Sequence, residues 1–178
     1  MWRTINSLVV FAVITLLTAS FAQAQQATPT RILIHMKTSL ALDDAQICAV
    51  PNVAWAAVKA GHKVTVLVDA SAVTSVTKGF GFFRRLVGSD STALDRAPLP
   101  DRERESLAEQ MGVQLDQVPH TYGEYFEFLK KLGVEIYGNQ TMMLLYKIDL
   151  ARVTPAVTPI SLGKMIQLFS DVDRVIVY

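Results

Sequence analysis

Residues Val64 to Asp69 read VTVLVD, a run so evenly apolar and β-branched that it has almost no polar face to turn toward water. A strand of that kind is buried on both faces, which places it inside a parallel sheet covered by helices. The residues before it agree. Gly61 closes a stretch of helical spacing from Asp43 to Ala60, in which Ile47, Val50, Ala54, Ala57 and Val58 share one face. Earlier still, Arg31 to Lys37, RILIHMK, reads as a first strand, so the three segments form a βαβ unit. The helix start is well marked: Asp43 and Gln46 have the spacing of a capping box, and Leu42 and Ile47 that of a hydrophobic staple. Pro51 removes a backbone donor inside the helix and predicts a kink or a restart there.

From Ser71 to Pro119 the pattern weakens. Lys78 to Leu86, KGFGFFRRL, mixes phenylalanines with basic residues and reads as a loop that covers the end of the core, with a membrane-surface or partner contact as the other reading. Asp90 to Glu105 is rich in charge and proline, and Ser106 to Gly112 reads as a helical turn or two with Leu107 and Met111 on one side. Order returns at Thr121 to Lys131, where Thr121 and Glu124 form a second capping box and Tyr125, Phe128, Leu129 and Leu132 share a face. Gly133 stops that helix, Val134 to Tyr137 is a third strand, and a short helix starts at Thr141 or a neighbour. A last helix at Ser161 to Phe169 and a last strand at Arg174 to Tyr178 follow. Strands alternating with helices predict an α/β layered fold with a mostly parallel sheet.

Residues 1–24 carry one basic residue, Arg3, then an apolar run from Leu8 to Leu17, then small residues ending in Ala22-Gln23-Ala24. This is the layout of a secretory signal peptide cut after Ala24, giving a periplasmic or secreted protein. The run is about half the roughly 20 residues that span a bilayer, so no stable span is expected once the signal is removed, although an unprocessed signal would act as an anchor. Residues 25–30, QQATPT, form a short disordered lead, and 31–178 form one domain of roughly 150 residues with a variable segment at 71–119. Without Arg3 the 17 basic residues fall to 16 against 16 acidic ones, and a neutral chain offers no electrostatic case for binding nucleic acid.

Chemistry is constrained by what is scarce. A single cysteine, Cys48, excludes an internal disulfide and leaves a buried thiol, a reactive thiol or an intermolecular bridge. His35, His62 and His120 are far apart and show no metal-binding spacing, so no metal is expected. The turn after the first strand, MKTSLALDD, lacks the glycine fingerprint of dinucleotide sites, and no cofactor is expected either.

Four stretches taken in order, ILIHMKTS, AAVKAGHKVTVLVDASAV, FLKKLGVEIYGN and the closing DRVIVY, resemble the DsrE/DsrF-like family of small sulfur-relay proteins. The resemblance implies a three-layer α/β/α fold and homo-oligomers. It also implies a persulfide-carrying cysteine just after the third strand. Here that tip is Gly138 or Asn139, and neither can be thiolated.

Candidate ligand-binding residues therefore gather at the carboxyl ends of the strands, where open α/β sheets hold their ligands. They are Lys37, Asp44, Cys48, Asp69, Asn139 and Gln140. Asp69 either caps the following turn or faces the cleft, and Asn139 and Gln140 offer amides where the family keeps its thiol. His35 reads as a hydrogen-bonded core or interface residue rather than a base. For Cys48, a helix N-terminus favours thiolate while Asp44, four residues earlier, opposes it, so no catalytic residue is assigned and Cys48 stands only as a candidate thiol. The sequence thus reads as an exported, non-catalytic binding or assembly module. The alternative is a periplasmic sulfur carrier or sulfurtransferase-like protein using Cys48. A small polar or sulfur-containing ligand and a homo-oligomer, with Phe80 to Leu86 at its interface or over the core end, complete the expectation.

Overall fold

Two parallel strands, β1 (Arg31–Met36) and β2 (Lys63–Val68), pair in register from Arg31 opposite Lys63 to Met36 opposite Val68. The structure is a computed structural model that describes residues 29–77 and 97–178. The segment at 1–24, most of the lead at 25–30 and the aromatic stretch at 78–86 lie outside the described residues. Helix α1 (Asp44–Lys59) joins the two strands, and the Asp43 carboxylate accepts the Gln46 N–H at 3.1 Å, as its cap position requires. The reciprocal half of the box differs from expectation. Gln46 Nε2 donates to the Asp43 carboxylate at 2.9 Å, while the Asp43 N–H is bonded to the Ser39 carbonyl. The restart expected at Pro51 does not occur, because α1 runs through it with Pro51 buried against the core. Burial of the flanking Val50, Ala54 and Trp55 offsets the one lost backbone bond.

The chain then makes a 3-10 turn (Ala70–Thr74) and, beyond the aromatic stretch, helix α2 (Asp101–Met111). This helix is longer than the turn or two predicted, since it begins directly after Pro100 and carries most of its charges outward, while Leu107 and Met111 enter the core and Arg104 is buried beside them. Helix α3 (Tyr122–Lys131) has both halves of its capping box, and its buried residues are Tyr122, Tyr125, Phe126 and Leu129. Leu132, placed on that face from sequence, is instead exposed beyond the helix end. Strand β3 (Glu135–Asn139), helix α4 (Gln140–Leu145), strand β4 (Thr158–Ile160), helix α5 (Leu162–Asp171) and strand β5 (Arg174–Val177) follow, with short 3-10 turns at Leu115–Gln117 and Leu150–Arg152 in the connections. The three-residue β4 was not predicted.

The five strands stand in the order β4-β3-β2-β1-β5, and every strand pair is parallel. Alternation along the strands divides their side chains between two faces. Ile32, Ile34, Met36, Val64, Val66 and Val68 pack with α1, α2 and α3 in the larger core. Leu33, Leu67 and Ile160 meet Leu168, Met165 and Phe169 of α5 on the other side. The fold is a three-layer α/β/α sandwich, and among the described residues the helix on its second face is α5. Each fully buried aromatic or leucine of α3 contributes roughly 1.5–3 kcal/mol through removal from water.

Gly138 in β3 is fixed by packing. A Cβ built there would lie 2.3 Å from Met143 Cε and 3.0 Å from Val157 Cγ1, and Met143 is fully buried. Gly138→Ala is expected to destabilise by roughly 1–3 kcal/mol, read as a lower urea midpoint. Gly163→Ala, on α5 with only Ser161 Oγ at 4.0 Å, should instead stabilise by about 0.5–1 kcal/mol.

Candidate functional site

The carboxyl ends of β1, β2 and β3 place three polar side chains on the α5 side of the sheet. His35 follows Leu33 by two residues, Asp69 follows Leu67 by two, and Asn139 follows Tyr137 by two, so all three continue rows that face α5. Register then brings them together, because Val68 pairs with Gly138 and each is followed by one of the polar residues. The Asp69 carboxylate accepts from His35 Nε2 at 2.9 Å, from Asn139 Nδ2 at 2.8 Å and from the Ala70 amide at 2.7 Å. A carboxylate only accepts here, so the ring proton of His35 sits on Nε2. Phe169 of α5 packs edge-on against the His35 ring, with centroids 5.3 Å apart. Burial pushes the Asp69 pKa up, but the amide, imidazole and carboxamide donors together outweigh it and hold it below the usual 3.8.

Asn139 is 4% exposed, and both polar atoms of its amide are bonded within the protein. Its Oδ1 accepts the Thr141 and Met142 N–H groups at 3.0 and 3.3 Å, which makes it the N-cap of α4, and its Nδ2 is spent on Asp69. The residue at the expected carrier position thus serves as a structural pin between two strands and a helix. Asp69 takes the capping role of its two sequence alternatives, accepting the first N–H of the following 3-10 turn. Gln140 opens α4 half-buried, with no side-chain hydrogen bond among the described residues. Lys37 is exposed, and its backbone joins Tyr178 and Ala72 while its ammonium has no partner among the described residues.

Cys48 belongs to a different group. Its Sγ meets the hydroxyl of Tyr122, the first residue of α3, and that hydroxyl donates to Glu103 Oε2 of α2 at 3.3 Å. Asn52 Nδ2, one turn further along α1, donates to Glu103 Oε1 at 3.0 Å. Partial burial pushes the Cys48 thiol up from 9.0 to about 11, against the Tyr122 hydroxyl, which favours thiolate, and with the help of the Glu103 and Asp44 carboxylates. Asp44 is exposed in the first turn of α1 and is the smallest of these influences. The two networks share no residue. Glu103 and Tyr122 were not legible as neighbours of Cys48, because they arrive from two other helices.

A groove of about 520 Å³ opens beside this second network, between α1 and α2. Val53, Leu107 and Met111 give it an apolar wall, and Asn52, Glu103 and Gln110 a polar one. That volume is within the range of small-ligand pockets. Among the described residues no cluster of three or more His, Cys, Asp or Glu is arranged to hold a metal ion, and no helix is long and apolar enough to cross a membrane.

No family model and no curated protein matches this sequence. Among solved structures, the fold is similar to the crystal structure of the ychN protein from E. coli. The two superpose with a TM-score of 0.55 at 11% sequence identity, over 85% of this chain and 100% of the other.

Proposed function

We propose that this chain is an exported DsrE-like protein, processed after Ala24, that works as a non-catalytic binding or assembly module and not as a sulfur carrier. The three-layer parallel architecture supports the family resemblance, since it is the fold that resemblance implies. The observation that carries the reading is Asn139. The residue where a carrier thiol would stand is buried, caps α4 and bonds Asp69, so the site is built to hold the rim together. Gly138, the other residue of that tip, has no room for a side chain. Binding is served by the groove between α1 and α2, whose mixed lining suits a small ligand with both apolar and hydrogen-bonding parts.

Cys48 is the remaining thiol, and its surroundings keep it protonated at neutral pH. Alkylation by iodoacetamide should therefore be slow at pH 7.5 and should keep rising with pH toward about 11, where an ordinary thiol levels off near 9.0. Incubation with a polysulfide donor, followed by intact mass measurement, is expected to add no sulfur. A gain of one sulfur mass that Cys48→Ser abolishes would overturn this reading in favour of a carrier using Cys48.

A further inference from the structure

The two edges of the sheet are protected unequally. At one edge β4 is three residues long and contains Pro159, and proline cannot donate to an added strand. At the other, β5 pairs with β1 alone among the described residues and carries neither proline nor lysine. The Tyr178 N–H donates to the His35 carbonyl at 3.0 Å, and the Tyr178 carbonyl accepts from Lys37 at 2.6 Å. Tyr178 therefore turns its peptide groups toward β1, and by alternation Ile176 and Arg174 do so as well. Val175 and Val177 turn theirs outward, to the open edge. Their side chains share the face of Leu33 and His35, beyond the cover of α5, and are 44% and 56% exposed.

We propose that the β5 edge is an interface for a second copy of this chain, joined antiparallel about a two-fold axis through Ile176 so that the two sheets become one. Closed two-fold pairing is the usual outcome for a self-complementary edge, and the chemistry of β5 selects the register. An axis through Ile176 pairs Val175 of each copy with Val177 of the other, which uses the outward peptide groups of both valines. It gathers four valines on the α5 side, where cross-strand β-branched pairs are favourable. On the opposite side it sets Arg174 across from Tyr178 of the second copy, a guanidinium over an aromatic ring. An axis through Arg174 would oppose two like charges, and it would call on the Asp173 N–H, which is already bonded to the Arg31 carbonyl. An axis through Val175 needs the same spent amide. A four-residue strand buries less than a standard interface, so association is reversible, on the order of micromolar.

The axis is tested by cross-linking. Residue 176 faces its own copy as a non-hydrogen-bonded pair with Cα atoms about 4.5 Å apart, inside the range a disulfide spans. Ile176→Cys in a Cys48→Ser background, treated with glutathione disulfide, should give a covalent dimer as two thiols are oxidised and the glutathione disulfide is reduced to two thiols. Arg174→Cys in the same background should stay monomeric on a non-reducing gel, since its two copies lie several residues out of register. Sedimentation of the unmodified chain should show a dimer fraction rising with concentration, and Val175→Lys with Val177→Lys should remove it while leaving the melting temperature within a few degrees. Failure of Ile176→Cys to cross-link, equal cross-linking by Arg174→Cys, or an oligomer that survives the double lysine variant would each overturn the proposal.

Discussion

Arg104→Met is expected to lower the stability of the protein by roughly 2–4 kcal/mol, because it takes away the donor of the half-buried Pro119 and buried Val118 carbonyls, whereas the Leu115 carbonyl keeps the Val118 N–H. Arg104 is 6% exposed on α2, and its guanidinium donates to the carbonyls of Pro119, Leu115 and Val118 at 3.1, 3.2 and 3.2 Å. A fourth partner is His120 Nε2 at 3.3 Å, which accepts because a guanidinium only donates. The ion pair with Asp101 adds little, since that carboxylate is 91% exposed. One side chain thus ties α2 to the chain entering α3. For a domain of this size the melting temperature should fall by roughly 10 °C. Arg104→Lys should recover less than half of the loss, because an ammonium cannot reach several carbonyls in the plane of a guanidinium fork. The same loosening separates Glu103 and Tyr122 from Cys48, so Cys48 alkylation at pH 7.5 should accelerate in Arg104→Met. An unchanged melting temperature would show that water replaces the guanidinium at no cost.

The second large effect is expected at Asp69. Asp69→Ala removes the common acceptor of His35, Asn139 and Ala70 and should cost roughly 3 kcal/mol at pH 7, measured by urea unfolding. The loss should depend on pH in a defined direction. Because the folded pKa lies below 3.8, the unfolded carboxylate takes up its proton first as pH falls, and the stabilisation is present above 3.8 and lost through the folded pKa below it. The difference between wild type and Asp69→Ala should therefore narrow below about pH 4. A difference that stays constant down to pH 2 would mean that the carboxylate's charge plays no part in the network.

Much of the fold was legible because several segments announce themselves through local chemistry. The apolar run of β2, Gly61 at a φ of 85° and the Thr121–Glu124 capping box each specify their own structure without help from distant residues. What was missed depends on tertiary partners. β4 is a three-residue segment around Pro159 that becomes a strand only because β3 lies beside it. The start of α2 was obscured by the charges of Asp101 to Glu105, and nothing in that run marks Arg104 as the buried one, since its partners are carbonyls 11 to 15 residues later. At the candidate site, sequence placed Asn139 at the right strand end but read its amide as free. The preference of asparagine for helix N-caps was the available signal, and it pointed to the structural role.

The placement of β1 sets the order in which this molecule can assemble. Its ladder with β2 closes over about 30 residues, through one helix, whereas the bond between Arg31 and Asp173 on its other side spans 142 positions. Closing the longer loop has the larger entropic cost, and folds dominated by such distant pairings form slowly. The βαβ unit from Arg31 to Val68 can therefore collect early, and until Arg174 to Val177 arrive it presents the second flank of RILIHM as an open template. Every folding intermediate that lacks β5 carries an unpaired apolar strand at its margin, so the interval before the last strand docks is when this chain is most exposed to aggregation.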